Sequence, residues 1–316
     1  MPDPLTQATQ SLLARFRRQR PLRSGSLLIT LLGDAVAPRG GAVTLGSLIR
    51  LAQPFGLTER LVRTSVGRLA QDGWLASKRE GRQSEYVLTE HGRSRFAEAT
   101  QRIYGEGPES WDGNWTLLLL PTGPAALRER IREEMQWLGF GQISAGVLAH
   151  PSRSMADTRA QLRELQLGGD AVVMRAKSEG DAADRMLIKA GWDLAELTRG
   201  YQRFVTSFEP VRALMPSGAA AATVPPETAF VIRTLLIHEY RKIHLRDPLL
   251  PHSLLPAGWV GKTAYELCRD LYRRVFPAAE QHLTEVAETL SGKLERPSRE
   301  THRRFGGLDS RQHGDR

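Results

Sequence analysis

Between Leu57 and Gln71 the chain sorts two kinds of side chain onto two faces of one helix, and this segment constrains the fold of the whole N-terminal region. Leu57, Leu61, Val62, Val66, Leu69 and Ala70 recur at helical spacing and make an apolar face. Arg60, Arg63, Thr64, Gly67, Arg68 and Gln71 fall on the other face, a stripe of guanidinium, hydroxyl and amide groups read as free of carboxylates, where Gly67 permits close approach. Thr58 is placed to cap the helix, and Glu59 suits the positive end of its dipole.

The flanks fix the context. Ser24 or Ser26 caps a largely apolar helix carrying Leu27, Leu28, Ile29, Leu31 and Leu32 to near Gly33. After a loop with Pro38, Gly40 and Gly41, residues 42–44 make a very short strand, and Thr44 caps a second helix with Leu45, Leu48, Ile49 and Ala52 on one face. Beyond Gly73, residues 74–78 and 85–88 read as strands joined by a cationic loop of Arg79, Glu80, Gly81, Arg82, Gln83 and Ser84. Thr89 then caps a helix with Phe96, Ile103 and Tyr104 inward. Helix, helix, cationic helix, basic-tipped hairpin, helix is the order of a winged helix-turn-helix. In that arrangement Thr58, Arg60, Arg63, Thr64 and Arg68 face the major groove of double-stranded DNA, with Arg63 and Thr64 as base-edge readers. Lys78, Arg79, Arg82 and Ser84 on the hairpin meet the backbone or the minor groove.

A linker at 105–108 leads to a second pattern. Residues 115–120 form a continuously apolar strand, Pro124 starts a helix with Leu127, Ile131, Met135 and Leu138 in register, and 142–144 and 147–149 are short strands about Ala145-Gly146. Ser154 caps a helix through Leu165, and 171–174 is the last strand. The order βαββαβ predicts a ferredoxin-like domain. From Asp181 the pattern is helical, with candidates at 193–214, 226–245, 260–275 and 278–290 separated by prolines. The expectation is an α+β multidomain chain: a basic arm (1–23), a winged-helix domain (24–105), a ferredoxin-like domain (110–178), a helical C-terminal domain (181–290) and a disordered basic tail (291–316).

A length of 316 residues suits two or three domains. The formal charge of +9 is unevenly spread: residues 96–290 carry 22 basic against 24 acidic side chains, so the excess lies in the first 95 residues and in the tail. Such a distribution implies a polyanion-binding module attached to a near-neutral body. No run is long enough to span a bilayer, no secretory signal precedes the first helix, and one cysteine, Cys268, builds neither a disulfide nor a thiolate cage, so a cytoplasmic chain is expected. His238, Glu239 and His244 miss the zinc-protease spacing, since the histidines are six apart rather than four. Neither a nucleophile elbow nor a P-loop occurs. A metal-dependent nuclease on the central domain would want a carboxylate where Leu120, Pro121 and Thr122 end the first strand, whereas Asp112 precedes it. No catalytic residue, metal site or cofactor is expected.

The runs Leu28-Ile-Thr-Leu-Leu-Gly-Asp-Ala, Gly46-Ser-Leu-Ile-Arg-Leu, Gly56-Leu-Thr-Glu-Arg-Leu-Val-Arg-Thr-Ser-Val, Gly73-Trp-Leu and Trp111-Asp-Gly-Asn-Trp resemble the PaaX-type repressors of phenylacetate catabolism. So does the stretch from His238-Glu-Tyr-Arg through Arg246-Asp-Pro-Leu-Leu-Pro to Leu255-Pro. The resemblance covers about residues 24–290 and implies a winged helix, a central domain similar to Cas2 and a helical C-terminal domain. It also implies a homodimer that represses phenylacetate genes and leaves its DNA operator on binding an acyl-CoA effector, phenylacetyl-CoA. Tyr240, Arg241, Arg246 and Asp247, in the most specific of these motifs, are the effector-site candidates it suggests. An interdomain or dimer scaffold is the alternative use of that motif. Regulation of another aromatic or acyl-CoA pathway, or a nucleic-acid-processing enzyme with a Cas2-like domain, are the alternative functions.

Overall fold

The computed structural model describes residues 3–19, 24–105, 110–166, 171–216 and 223–308. Most of the expected linker and the tail from 309 lie outside them. The chain divides into two compact units, one of Met1–Gly105, Gln202–Lys242 and Lys262–Arg316, the other of Glu106–Tyr201 and Ile243–Gly261. The segments of the helical C-terminal region are thus shared between the two units.

The first unit opens with α1 (Pro4–Arg17), started by Asp3, whose carboxylate accepts from the Leu5 and Thr6 amides at 2.9 and 3.2 Å. Leu5, Leu12, Leu13 and Phe16 are buried along one side, with Phe16 edge-on to Phe55 and His238. Arg15 donates to the Ser207 hydroxyl and Arg17 to the Pro54 carbonyl. The sequence allows either an arm or a short, loosely attached helix here; the segment is a helix, and it is docked rather than loose, because its apolar residues at helical spacing are buried along one side.

α2 (Ser24–Leu31) runs on through a π-helical turn, Leu32–Val36, and a 3-10 turn, Ala37–Arg39. A side chain at Gly33 would meet the Phe96 ring at 2.7 Å, so only glycine fits there. β1 (Ala42–Thr44), α3 (Leu45–Ala52), α4 (Glu59–Gln71), β2 (Leu75–Glu80), β3 (Gln83–Leu88) and α5 (Glu90–Tyr104) follow. Thr44, Thr58 and Thr89 each cap the next helix. The three strands form an antiparallel sheet in the order β1-β3-β2. Pairing continues to Glu80 opposite Gln83, so Gly81 and Arg82 alone make the turn where the sequence suggests a six-residue loop. The ladder extends because an exposed edge strand needs no apolar alternation: of β2 only Leu75 is buried.

In the second unit β4 (Asn114–Leu119), α6 (Ala125–Trp137), β5 (Gly141–Ser144), β6 (Val147–His150), α7 (Met155–Glu164) and β7 (Val172–Lys177) give the βαββαβ order, with an antiparallel sheet arranged β5-β6-β4-β7. The apolar run in β4 is explained by cover on both faces. Leu118 packs with Ile131 and Met135 of α6, Leu162 of α7 and Val173. Trp115 packs oppositely with Ala149, with Ile188 of α8 (Asp181–Gly191), and with Leu250 and Leu254. The Leu- and Pro-rich run after Arg246 therefore helps to cover the central sheet.

Three long helices follow: α9 (Leu194–Leu214), α10 (Pro226–His244) and α11 (Val260–Val286). The sequence predicts a break at Pro277, yet α11 passes through it. Ala278, Ala279, His282 and Leu283 continue the buried face begun by Leu267, Cys268, Leu271, Tyr272 and Val275. Their burial outweighs the penalty of about 3 kcal/mol for an interior proline. Within the described residues the tail, 291–308, is folded, against the expected disorder. A hairpin, β8 (Glu288–Thr289) and β9 (Gly292–Lys293), and α12 (Arg299–His302) lead to buried Arg304 and Phe305.

Candidate nucleic-acid interface

α4 has its expected two faces, with two adjustments. Leu57, Val62, Val66 and Leu69 are buried, joined by Ser65, whose hydroxyl lies 2.9 Å from that of Ser24; Leu61 is instead exposed. On the outward face Arg60, Arg63, Thr64, Arg68 and Gln71 are all exposed, and nothing lies within 4 Å of where a Gly67 side chain would start. Thr58 is exposed at the cap, 3.4 Å from the Leu61 amide. The Thr64 hydroxyl donates to the Arg60 carbonyl at 2.9 Å, which leaves its lone pairs and methyl group outward. The face is not free of carboxylates: Glu59 accepts from Nε of Arg63 at 2.8 Å, one helical turn away.

The hairpin contacts the same helix through β2. Lys78, Arg79 and Arg82 are exposed and Ser84 is half-buried. Lys78 and Arg79 stand in β2 opposite Glu85 and Ser84. Glu85 turns inward and accepts from the Leu290 amide at 2.8 Å, so it does not neutralise this surface. Exposed guanidinium and ammonium groups on a helix and its neighbouring hairpin are equipped to bind phosphates and donate to base edges.

A second arginine cluster in this unit, which sequence reasoning missed, is wholly internal. Asp34, in the π-helical turn, accepts from Arg233 Nε at 2.7 Å, Arg304 Nη1 at 2.8 Å, and the hydroxyls of Tyr104 and Tyr272 at 2.6 and 2.9 Å. Arg233 and Arg39 also pair with Glu280. Burial alone would raise the Asp34 pKa, but the two guanidiniums and the tyrosine hydroxyl prevail and bring it down to about 2. The available signal was an Asp followed by Ala and Val inside an otherwise apolar run.

Three family descriptions match successive parts of the chain: PaaX-like protein over residues 23–92, PaaX protein central Cas2-like domain over 108–188, and PaaX-like protein C-terminal domain over 192–285. Transcriptional repressor PaaX of Escherichia coli strain K12 is 38% identical over 295 residues, which are 92% of this chain and 93% of that protein. The chain belongs to the PaaX family. A solved structure of an uncharacterized protein from Mycobacterium tuberculosis is 24% identical, covering 79% of this chain and 96% of that one with a TM-score of 0.49.

In the PaaX C-terminal region, the residues suggested for an effector are divided between the two units. Tyr240 and Arg241 belong to the first unit, Arg246 and Asp247 to the second. Tyr240 is fully buried against Phe204. Arg241 donates to Thr30 Oγ1 and to the Ser26 carbonyl and hydroxyl at 2.7–2.8 Å, and burial pulls its pKa down to about 10. Asp247 is buried, accepts from the Tyr201 hydroxyl at 2.7 Å and turns the chain by accepting from the Leu249 amide. Arg246 alone is well exposed, 4.0 Å from Glu196. His238 lies 3.0 Å from the Thr30 hydroxyl and His244 2.9 Å from that of Tyr201. Among the described residues no group of three His, Cys, Asp or Glu is placed to hold a metal, and no helix is long and apolar enough to cross a membrane. Cys268 is buried in α11, where desolvation pushes its thiol pKa up.

Proposed function

We propose that this PaaX-family chain is a DNA-binding transcriptional repressor whose residues 24–105 act as a winged helix-turn-helix. α4 enters the major groove and the β2–β3 hairpin meets the backbone or the minor groove. The observation that carries the reading is the exposure of Arg60, Arg63, Arg68, Lys78, Arg79 and Arg82 on two contacting elements, while Arg39, Arg233 and Arg304 of the same unit are consumed internally. The E. coli relative bears the name of a transcriptional repressor. Replacing Arg63 by Ala is expected to lower affinity for the preferred operator by about tenfold, in line with the 1–3 kcal/mol of a bidentate base contact. The melting temperature should not change, because Arg63 is exposed. Wild-type affinity in the variant overturns the assignment of α4.

The repressor acts as a homodimer, so that two copies of α4 meet half-sites about one DNA turn apart. β7 ends its sheet and leaves Val172 and Met174 48% and 37% exposed, which suits an apolar contact with a second copy. The effector in this reading is phenylacetyl-CoA, supported by the family resemblance. Tyr240, Arg241 and Asp247 hold the scaffold from within, and Arg246 is the member of the set open to a phosphate. Added phenylacetyl-CoA should abolish the retarded operator band in a gel shift, whereas free phenylacetate should leave it. Retention with every acyl-CoA tried removes the ligand from the proposal.

A further inference from the structure

The geometry points to Glu59 as a specificity-determining residue that works as one base-reading unit with Arg63, the pair selecting guanine and cytosine edges in the major groove. The inference rests on the proposed DNA-binding role of α4. Arg63 uses Nε and Nη2 to hold a single oxygen of Glu59, Oε1, at 2.8 and 2.6 Å. That side-on arrangement occupies one edge of the guanidinium. The other edge, formed by Nη1 and the second hydrogen of Nη2, remains available for guanine O6 and N7, and Oε2 of Glu59 remains available to accept from a cytosine amino group. Both side chains are more than half exposed, at 57% and 58%, in the first turns of the helix, the part that reaches base edges.

The charge arrangement separates reading from holding. Glu59 and Arg63 are together neutral, so their approach to DNA releases few counterions. Arg60 and Arg68 face the same side and have no carboxylate partner among the described residues, which makes them the salt-dependent phosphate contacts. An arginine held in position before binding also loses less rotamer freedom on contact than a free one. A helix-end charge alone would account for Glu59 being acidic. It would not account for a carboxylate that steers the central arginine of the outward face and keeps one oxygen free.

The test is binding to a library of randomised duplexes at several salt concentrations, using the full chain. E59Q should lose several-fold preference at a G·C position and its neighbour, bind non-specific duplex more tightly, and gain about one in the magnitude of the salt slope as Arg63 is released toward phosphates. R63A should flatten the same positions, and E59A should lose the same preference as E59Q, which keeps the role of Glu59 testable if one of the two Glu59 variants folds poorly. R60A and R68A should weaken all sequences alike and reduce the slope by about one. A melting temperature for each variant separates a structural role, which would move stability and not base preference. If E59Q retains the wild-type base profile and salt slope, Glu59 is a helix-end charge only and the inference is overturned. If the wild type shows no sequence preference, or R60A and R68A bind as it does, the DNA-binding role of α4 itself fails.

Discussion

Arg60 and Arg233 belong to the same unit and carry the same charge, yet they do opposite things. Arg60 and its neighbours on α4 and the hairpin extend into solvent. Arg233, Arg39 and Arg304 are at most 4% exposed and are met by Asp34 and Glu280, three guanidiniums against two carboxylates. Arg233 and Arg304 also lie over aromatic rings, at 5.1 Å from Tyr272 and 4.1 Å from Tyr104. A formal charge of +9 counts both sets equally. Only the exposed set can release counterions from DNA, while the buried set joins α2, α10, α11 and the tail of its own unit.

The largest effect should come from removing the tail, which separates the two sets most sharply. A chain ending at Arg296 loses Arg304 from the Asp34 cluster, and loses Phe305 from among the rings of Tyr104, Tyr265 and Tyr272 at 5.2–5.6 Å. A buried Phe alone is worth about 3–5 kcal/mol on truncation to Ala. Adding the lost ion pair brings the cost close to the whole stability of an ordinary domain. The truncated chain should show no cooperative melt by circular dichroism. A wild-type melt would mean that the tail is dispensable.

That tail shows where sequence reasoning stops. Its core-forming residues, Leu294, Thr301, Phe305 and Leu308, are too sparse for periodicity, and Arg304 reads as solvated until its partners 270 residues earlier are brought beside it. The docking of α1 was hidden in the same way, by arginines that end on Ser207 and Pro54. The βαββαβ unit was legible because caps such as Ser154 and apolar runs such as Trp115 to Leu118 are local signals. So was the outward face of α4, where spacing suffices to place Arg60, Thr64 and Arg68 together. The pairing of Glu59 with Arg63 was not read, because the place of Glu59 at the helix start already explained its charge.

The next effect is Asp34→Asn, which leaves Arg233 and Arg304 buried beside a neutral amide. Breaking a buried pair in this way costs about 3–5 kcal/mol, readable as a shift in the denaturant midpoint. The pH dependence follows from the same group. Its folded pKa, about 2, lies below the ordinary 3.8, so the folded protein holds the charged form more strongly than the unfolded chain does. This contribution is complete above about pH 4 to 5 and is lost as pH falls toward 2. Wild-type stability should decline over that window, and the Asn variant should decline less steeply. Equal slopes would show that Asp34 is not the group whose protonation loosens the unit.

The smallest effect is expected from Arg95→Ala, and it guards the comparison against a trivial explanation. Arg95 belongs to α5 in the same unit and its side chain is 44% exposed, like the α4 arginines, but it faces Glu98 at 3.8 Å across i, i+3. An exposed pair of this kind contributes less than about 0.5 kcal/mol. If exposure alone made an arginine a DNA contact, removing Arg95 would lower operator affinity as removing Arg60 does. If placement on α4 and the hairpin is what matters, Arg95→Ala should leave operator affinity, salt slope and melting temperature at wild-type values. A loss of affinity comparable to that of Arg60→Ala would therefore move the interface onto α5 and dissolve the division between reading and supporting arginines within this unit.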